Sequence, residues 1–388
     1  MDYLNRIALL LKPIIPPQVN LGKIKLLKAN NPFHKHYQSM ATVLAIETSC
    51  DETAVAIVKN REVISSIITS QIATHRQYGG IVPEVASRLH VETINEAIAE
   101  AFLEAGLTWA EINGIAATSA PGLVGSLMVG VTTAKTLAIL HEKPFLGIHH
   151  LEGHIYASYL SDTTLQPPFL CLLVSGGHTS LIHVKDCGIY DILGQTRDDA
   201  AGEAFDKVAR LLGLSYPGGP VIDQLSKQGN PAIFPLPEGN ISLPTGGYHP
   251  YDSSFSGLKT AVMRLVKKLQ SEGKEMPVND IAASFQQTVA KSLTRRAIKC
   301  ALDCNLTTIA VGGGVAANSG LRQHLQQAAQ ENNLKVIFPP MKFCTDNAAM
   351  IGCAAAEHLD RGHTSPITLG VQSRLSLTDV MQLYSNVG

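Results

Sequence analysis

The sequence predicts an α/β protein built of two related lobes. Three observations lead there. Short runs rich in β-branched residues alternate with stretches of helical periodicity. A unit of apolar strand, small polar turn and second strand occurs twice, at 43–58 and again at 169–184, with the ends of the two first strands, Ile46 and Val174, 128 residues apart. And 388 residues are more than one core of ordinary size needs, at roughly 150 residues per domain.

The elements follow in order. Strands are expected at 43–46, 53–58 and 63–69, forming a three-stranded antiparallel start, then a helix over 84–105 behind Pro83 and a strand at 114–118. Helices follow over 124–140 and 150–160. The Gln166, Pro167, Pro168 stretch interrupts both helix and sheet and marks the boundary between the lobes. The second copy opens with strands at 169–174 and 179–184, followed by helices at 198–212, 221–228, 257–269 and 279–304. A buried strand at 307–311 leads through Gly312, Gly313 and Gly314 into another helix, and a last strand at 335–338 precedes a helix over 346–359. The expected division is therefore an N-terminal extension at 1–39, a first lobe at 40–168 and a second at 169–388, with the C-terminal helix packing back on the first lobe.

Composition narrows the function. Thirty-one basic and 32 acidic side chains leave a net charge of -1, which excludes a surface basic all over but permits a local basic patch. No apolar run approaches the ~18 residues of a membrane span, so no membrane role is expected. Seven scattered cysteines without a CxxC pair read as reduced intracellular thiols. The extension differs from the rest: Arg6, Lys12, Lys23, Lys25, Lys28 and Lys35 face only Asp2. It lacks the cleavage site of a signal peptide and is read as the product of an upstream start codon or a dispensable extension, with an interfacial basic helix near 7–11 as the alternative.

Four groups of residues carry chemistry. The turn SGGHT at 175–179 and the run VGGGVAAN at 311–318 are glycine-rich, so backbone N–H groups there can converge on an anion; they are expected in corresponding lobes, with Gly176 and Gly314 approaching the ligand and a Cβ there colliding or forcing a disfavoured φ. His150 and His154, four apart in HHLEGH, share one helix face at metal-ligand spacing; Leu151 stands where an HExxH protease has Glu, which weakens a protease reading. Asp346 is the best third ligand unless it merely caps the last helix. The acidic turn at 47–53 puts three carboxylates, Glu47, Asp51 and Glu52, around a strand end, read either as solvated turn acids or as a base or orienting group, and Asp206, Gly219 and Asp223 lie on polar stretches able to bind hydroxyl or ammonium groups. The densest basic clusters of the core are Arg264, Lys267, Lys268 and Arg295, Arg296, Lys299.

Taken together, IETSCDET, HHLEGH, LVSGGHT, GEAFDK, YPGGP, FSGLKT, VGGGVAAN and CTDNAAMIG resemble the TsaD family of tRNA N6-adenosine threonylcarbamoyltransferases, formerly called O-sialoglycoprotein endopeptidases, in order from about residue 40 almost to the C-terminus. The resemblance implies an α/β, two-lobed actin-like and Hsp70-like (ASKHA) fold with a nucleotide cleft between duplicated lobes. It implies one divalent metal on His150, His154 and Asp346, iron ahead of zinc, and substrate contacts at Leu173, Val174, Ser175, Gly176, Gly177, Asp206, Gly219, Asp223 and Asn318. The implied reaction moves a threonylcarbamoyl group from threonylcarbamoyl-adenylate to N6 of adenosine 37 in tRNAs reading codons that begin with A, with Asp51 or Glu52 taking or orienting the N6 proton. The implied partners are a TsaB-like paralogue and a TsaE-like ATPase, and the implied place is the cytoplasm, or an organelle if the extension is a targeting segment. An actin-like ATPase or sugar-kinase-like phosphotransferase would also want paired glycine turns, but its magnesium is usually held through phosphates and water rather than by two imidazoles. A metalloprotease ranks below both.

Overall fold

The computed structural model describes residues 41–385; the basic segment 1–39, with the alternative reading of a helix near 7–11, and Met40 lie outside them. The described chain divides into two compact units, one ending at Gly153 and resumed from Asn347, the other running from His154 to Asp346. The chain thus crosses twice, and the segment after Asn347 completes the first unit. The Pro167, Pro168 boundary expected from the sequence falls later, directly before the first strand of the second unit.

In the first unit, β1 (Thr42–Glu47), β2 (Glu52–Lys59), β3 (Glu62–Ser70), β4 (Gly114–Ala120) and β5 (Phe145–His149) form one sheet in the order β3-β2-β1-β4-β5. The β1, β2 and β3 strands meander antiparallel, while β4 and β5 join parallel to β1. All six residues of β1 are buried because both faces of the sheet are covered, which is why the strand is a continuous apolar run rather than an alternating one. Leu44 and Ile46 pack with α2 (Pro83–Ala105) and α3 (Val124–Leu140) through Ile94, Ile98, Phe102 and Val131. The opposite face meets α10 (Ala348–Asp360), whose Gly352 lies so close to Val58 and Ala45 that an added Cβ would sit 2.6 Å from a Val58 methyl. A short helix, α1 (Ile72–Arg76), follows β3, and α4 (His150–Tyr156) follows β5 directly.

The second unit repeats the scheme. β6 (Phe169–Val174), β7 (Thr179–Asp186) and β8 (Ile189–Gln195) meander antiparallel, and β9 (Thr308–Gly312) and β10 (Lys335–Ile337) join parallel to β6, giving the order β10-β9-β6-β7-β8. Read from β8, this is the order of the first sheet with the same strand directions, so the duplication legible at 43–58 and 169–184 extends to five strands in each unit. Its core gathers Leu170, Leu172 and Val174 against α5 (Ala201–Leu211), α6 (Gly218–Ser226), α7 (Ser256–Ser271), α8 (Val278–Asp303) and α9 (Ser319–Glu331), with Phe205 and Phe285 meeting edge to face at 5.0 Å.

Several elements depart from the sequence reading. β5 and β8 were not expected: β5 is five residues ending in His, and β8 carries exposed Ile189 and Ile192 beside polar Asp191 and Gln195, a weak alternation at a sheet edge. The helix expected over 150–160 is α4 for one stretch and a 3-10 turn at Ala157–Leu160 for the rest. The helix expected from 198 begins at Ala201, because the Asp198 carboxylate instead accepts from the Phe255 and Ser256 amides and both hydroxyls of Ser254 and Ser256 at the start of α7.

Candidate metal and substrate site

Metal-ligand geometry begins with α4. His150 and His154 are one turn apart on this helix and so share a face. His154 is buried, and its Nε2 lies 3.3 Å from Oδ1 of Asp346. Asp346 is not the cap of the last helix: that place is taken by Asn347, whose Oδ1 accepts from the Met350 amide at 2.9 Å, leaving the Asp346 carboxylate to the imidazole. One donor atom from each of His150, His154 and Asp346 lies within 4.8 Å of the others. Donors around a tetrahedral ion with bonds of about 2.1 Å stand about 3.4 Å apart, so modest side-chain adjustment closes this set on one ion. Two imidazoles and a carboxylate are a donor set for iron or zinc rather than for magnesium or calcium.

Behind His150 stands one of the three carboxylates of the acidic turn, the one that the sequence did not single out. Glu47, fully buried at the end of β1, receives the Ser49 amide and the Thr118 hydroxyl at 2.5 Å each, and its Oε2 lies 3.2 Å from His150 Nδ1. The Ser49 hydroxyl is 3.2 Å from the same nitrogen. A carboxylate on Nδ1 fixes the proton there and turns Nε2, as the electron-pair donor, toward the ligand side. The available signal was an acid closing the apolar run TVLAIE, where burial would demand partners.

Asp51 and Glu52 sit just beyond, in the turn between β1 and β2. Glu52 opens β2 and accepts from the Ser70 hydroxyl at 2.8 Å, and the Asp51 carbonyl accepts from the Gln71 amide. The turn is tied further by buried His90, whose Nε2 lies 3.0 Å from the Cys50 carbonyl. Burial holds the His90 pKa below its ordinary value, against the opposing pull of that carbonyl and of the carboxylates of Glu47 and Asp51.

In the second unit the two glycine runs lie side by side, on the same sheet rather than in corresponding lobes. β6 and β9 are parallel and in register at Leu173 and Gly312, so Ser175–Gly177 and Gly313–Asn318 both leave the carboxyl ends of adjacent strands, the usual place for a ligand in an open α/β sheet. The contact is close: Gly313 has φ +89°, and a Cβ there would stand 2.4 Å from the Val174 carbonyl. The first unit shows the matching approach at Gly122, where a Cβ would meet the Ser49 carbonyl at 2.7 Å. Gly176 and Gly314, by contrast, are not in the left-handed region, so the expected φ constraint applies to Gly313 instead. A Cβ on Gly176, Gly177, Gly219 or Gly314 would enter open space. Each of these four glycines leaves bare backbone on the second unit that a planar or anionic ligand can approach closely.

The remaining expected contacts lie in the same unit. Leu173 and Val174 end β6, and the Ser175 amide is held by the His178 carbonyl at 2.8 Å. Asp206 on α5 accepts from the Gly218 amide at 2.7 Å, at the start of α6 next to Gly219; burial raises its pKa, and the Gly218 and Gly219 amides oppose that. Asp223 on α6 accepts from the amide and hydroxyl of Ser319, at 3.0 and 2.6 Å. Asn318 caps α9 through the Leu321 amide and donates to Gln286. Gln286 and Gly202, absent from the sequence reading, complete the frame: Gln286 links Asn318 to Ser226, and a Cβ on Gly202 would strike the Ser175 carbonyl at 2.6 Å.

The basic clusters fare differently. Arg296 is buried, donating to the Asp252 and Gly239 carbonyls, to Asn240 and to Ser292, so it is a structural brace and not a phosphate contact. Arg295 pairs with Glu238 and Lys299 with Asp303. Arg264, Lys267 and Lys268 are exposed along α7, Lys268 reaching Glu272 only at 3.9 Å.

Comparison with known proteins gives the family. The TsaD family, described as tRNA N6-adenosine threonylcarbamoyltransferase, matches over residues 62–353, three quarters of the chain. The chain belongs to the TsaD family. Proteins of that name from Gloeothece citriformis and a Nostoc species are 72% and 75% identical over 345 residues, 89% of this chain and 100% of each relative. A crystal structure of T. kodakarensis HypF superposes with a TM-score of 0.54 at 15% identity, over 83% of this chain and 48% of HypF; a full-length HypF in a phosphate- and nucleotide-bound form gives 0.54 at 14%, over 83% and 46%. These likenesses are of fold, and the fold is the α/β, actin-like one. Among the described residues of this TsaD chain no helix is long and apolar enough to cross a membrane.

Proposed function

We propose that the chain transfers a threonylcarbamoyl group from threonylcarbamoyl-adenylate to N6 of adenosine 37 in tRNAs reading codons that begin with A. The observation that carries this reading is the identity of 72–75%, over their whole length, with relatives bearing that enzyme name. In the reaction the N6 lone pair attacks the carbamoyl carbon, a new C–N bond forms, the C–O bond to phosphate breaks, and AMP leaves with that electron pair. The N6 proton passes to a base.

The chain's own residues have assigned parts. The backbone of Ser175, Gly176, Gly177, Gly219 and Gly314 takes the adenylate, with Leu173 and Val174 as the apolar floor and Asp206, Asp223 and Asn318 holding the helix starts that present those amides. Asp51 or Glu52 accepts the N6 proton or orients the amine, the turn being kept in place by His90. His150, His154 and Asp346 hold one divalent metal, iron ahead of zinc, which supplies Lewis acidity toward the donor's oxygens. Glu47 fixes the tautomer of His150 for that task. A TsaB-like paralogue and a TsaE-like ATPase complete the assembly, which works in the cytoplasm.

The test is mass spectrometry of nucleosides from tRNA incubated with the chain and threonylcarbamoyl-adenylate, with and without those partners. Threonylcarbamoyl-adenosine that depends on the chain is the expected product. Its absence with all partners present would overturn the reading.

A further inference from the structure

We infer that Glu152 is a positioning residue for the metal ligands: its buried carboxylate, held by His358 and Tyr384, sets the rotation of α4. The inference rests on the reading of His150, His154 and Asp346 as ligands. At about 100° per residue, His150 and His154 point about 40° apart, and Glu152 points about 160° from each, so it anchors the face of the helix opposite the imidazoles. A helix of seven residues has little stability of its own, so what surrounds it must determine its orientation.

The anchor is specific. Glu152 and His358 are both fully buried, with Oε1 3.0 Å from Nε2, and the Tyr384 hydroxyl donates to Glu152 Oε2 at 3.4 Å. The His358 ring stacks on Tyr384 at 4.1 Å, and its Nδ1 lies 2.8 Å from Nδ1 of His363, so one of these two nitrogens donates and the other accepts. A carboxylate is acceptor-only, and these two donors converge on it from α10 and the C-terminal segment. The neighbours of Glu152 are gripped from the same side: His149 Nε2 lies 3.0 Å from the Leu375 carbonyl, the Gly147 amide donates to Ser365, and Gly153 has no room for a Cβ against Ile351. An apolar residue at 152 would fill a buried position at lower desolvation cost but would not fix direction, whereas hydrogen bonds do.

The experiment is titration of the chelator-treated full chain with zinc(II) alone, followed by calorimetry, with circular dichroism and thermal melting run on each variant. Wild type should bind one zinc. Glu152→Ala should weaken binding at least about tenfold, within the range for residues that orient metal ligands. Glu152→Gln, which keeps an acceptor for His358, should stay within about threefold of wild type, a rescue that a loss of packing alone would not produce. If Glu152→Ala does not fold, His358→Asn, which removes the Nε2 donor, takes its place and should weaken zinc at least about fivefold. Wild-type zinc affinity in a folded Glu152→Ala or His358→Asn variant overturns the inference. Failure of wild type itself to bind zinc overturns the metal reading, and the inference with it.

Discussion

Glu47 shows how much of the site depends on single buried groups. Its carboxylate meets the Ser49 amide, the Thr118 hydroxyl and His150 Nδ1, and is shut off from water. Glu47→Ala should lower metal affinity by about 10- to 100-fold while His150 remains in place, measured as metal retained per chain after dialysis. His154→Ala removes a ligand outright and should leave a folded chain with sharply reduced bound metal; metal content equal to wild type would defeat the ligand assignment. The glycines divide by local geometry. Gly176→Val and Gly314→Val point into open space, so both variants should melt near wild type yet lose adenylate binding in calorimetry. Gly313→Ala should instead destabilise by about 3 kcal/mol, because its positive φ and its 2.4 Å approach to Val174 leave an L side chain no place.

At the scale of elements, helix starts and ends decide which charges are available. Asp198, Asp223, Asn318 and Asn347 all accept backbone amides at helix N-termini, so these polar residues are committed to structure before any ligand arrives. Arg296 on α8 is committed likewise. Arg296→Met should cost about 3 kcal/mol, because carbonyls of the 239–252 segment lose a charged donor; a lower urea midpoint with unchanged slope would report it. α7 ties Lys259 to Asp199 but keeps Arg264, Lys267 and Lys268 exposed. Charge reversal at Arg264 and Lys267 should weaken tRNA binding and flatten its salt dependence, whereas reversal at Arg295 should leave the slope near wild type. Equal slopes throughout would place the RNA surface on a partner.

For the whole molecule, two sheets of identical topology and the return of the segment after Asn347 to the first unit make that unit depend on both ends of the described chain. Deleting the chain after Arg374 should therefore unfold or strip metal from the protein, since Leu375, Leu383 and Tyr384 serve His149, Ser365 and Glu152. A chain starting at Met40 should retain metal and turnover, because every residue assigned to the site follows it. Loss of turnover or of thermal stability in that shortened chain would make residues 1–39 structural.

The strand-turn-strand duplication, the helical spacing of His150 and His154 and the clustering of glycines at strand ends were legible in the residues, because each is a local pattern of period two, period 3.6 or missing Cβ. So was the family, through eight motifs in order. Pairing across the chain was not legible. Nothing near Asp346 says that Asn347 takes the cap and frees the carboxylate for His154, 192 residues earlier. Nothing in TRRAIK distinguishes the buried Arg296 from its exposed neighbour Arg295, and nothing in IETSCDET marks Glu47 rather than Asp51 as the partner of His150. Burial is the reason. A charge or polar group must find its partners wherever folding brings them, and those partners are chosen by the packing of strands and helices far apart in sequence.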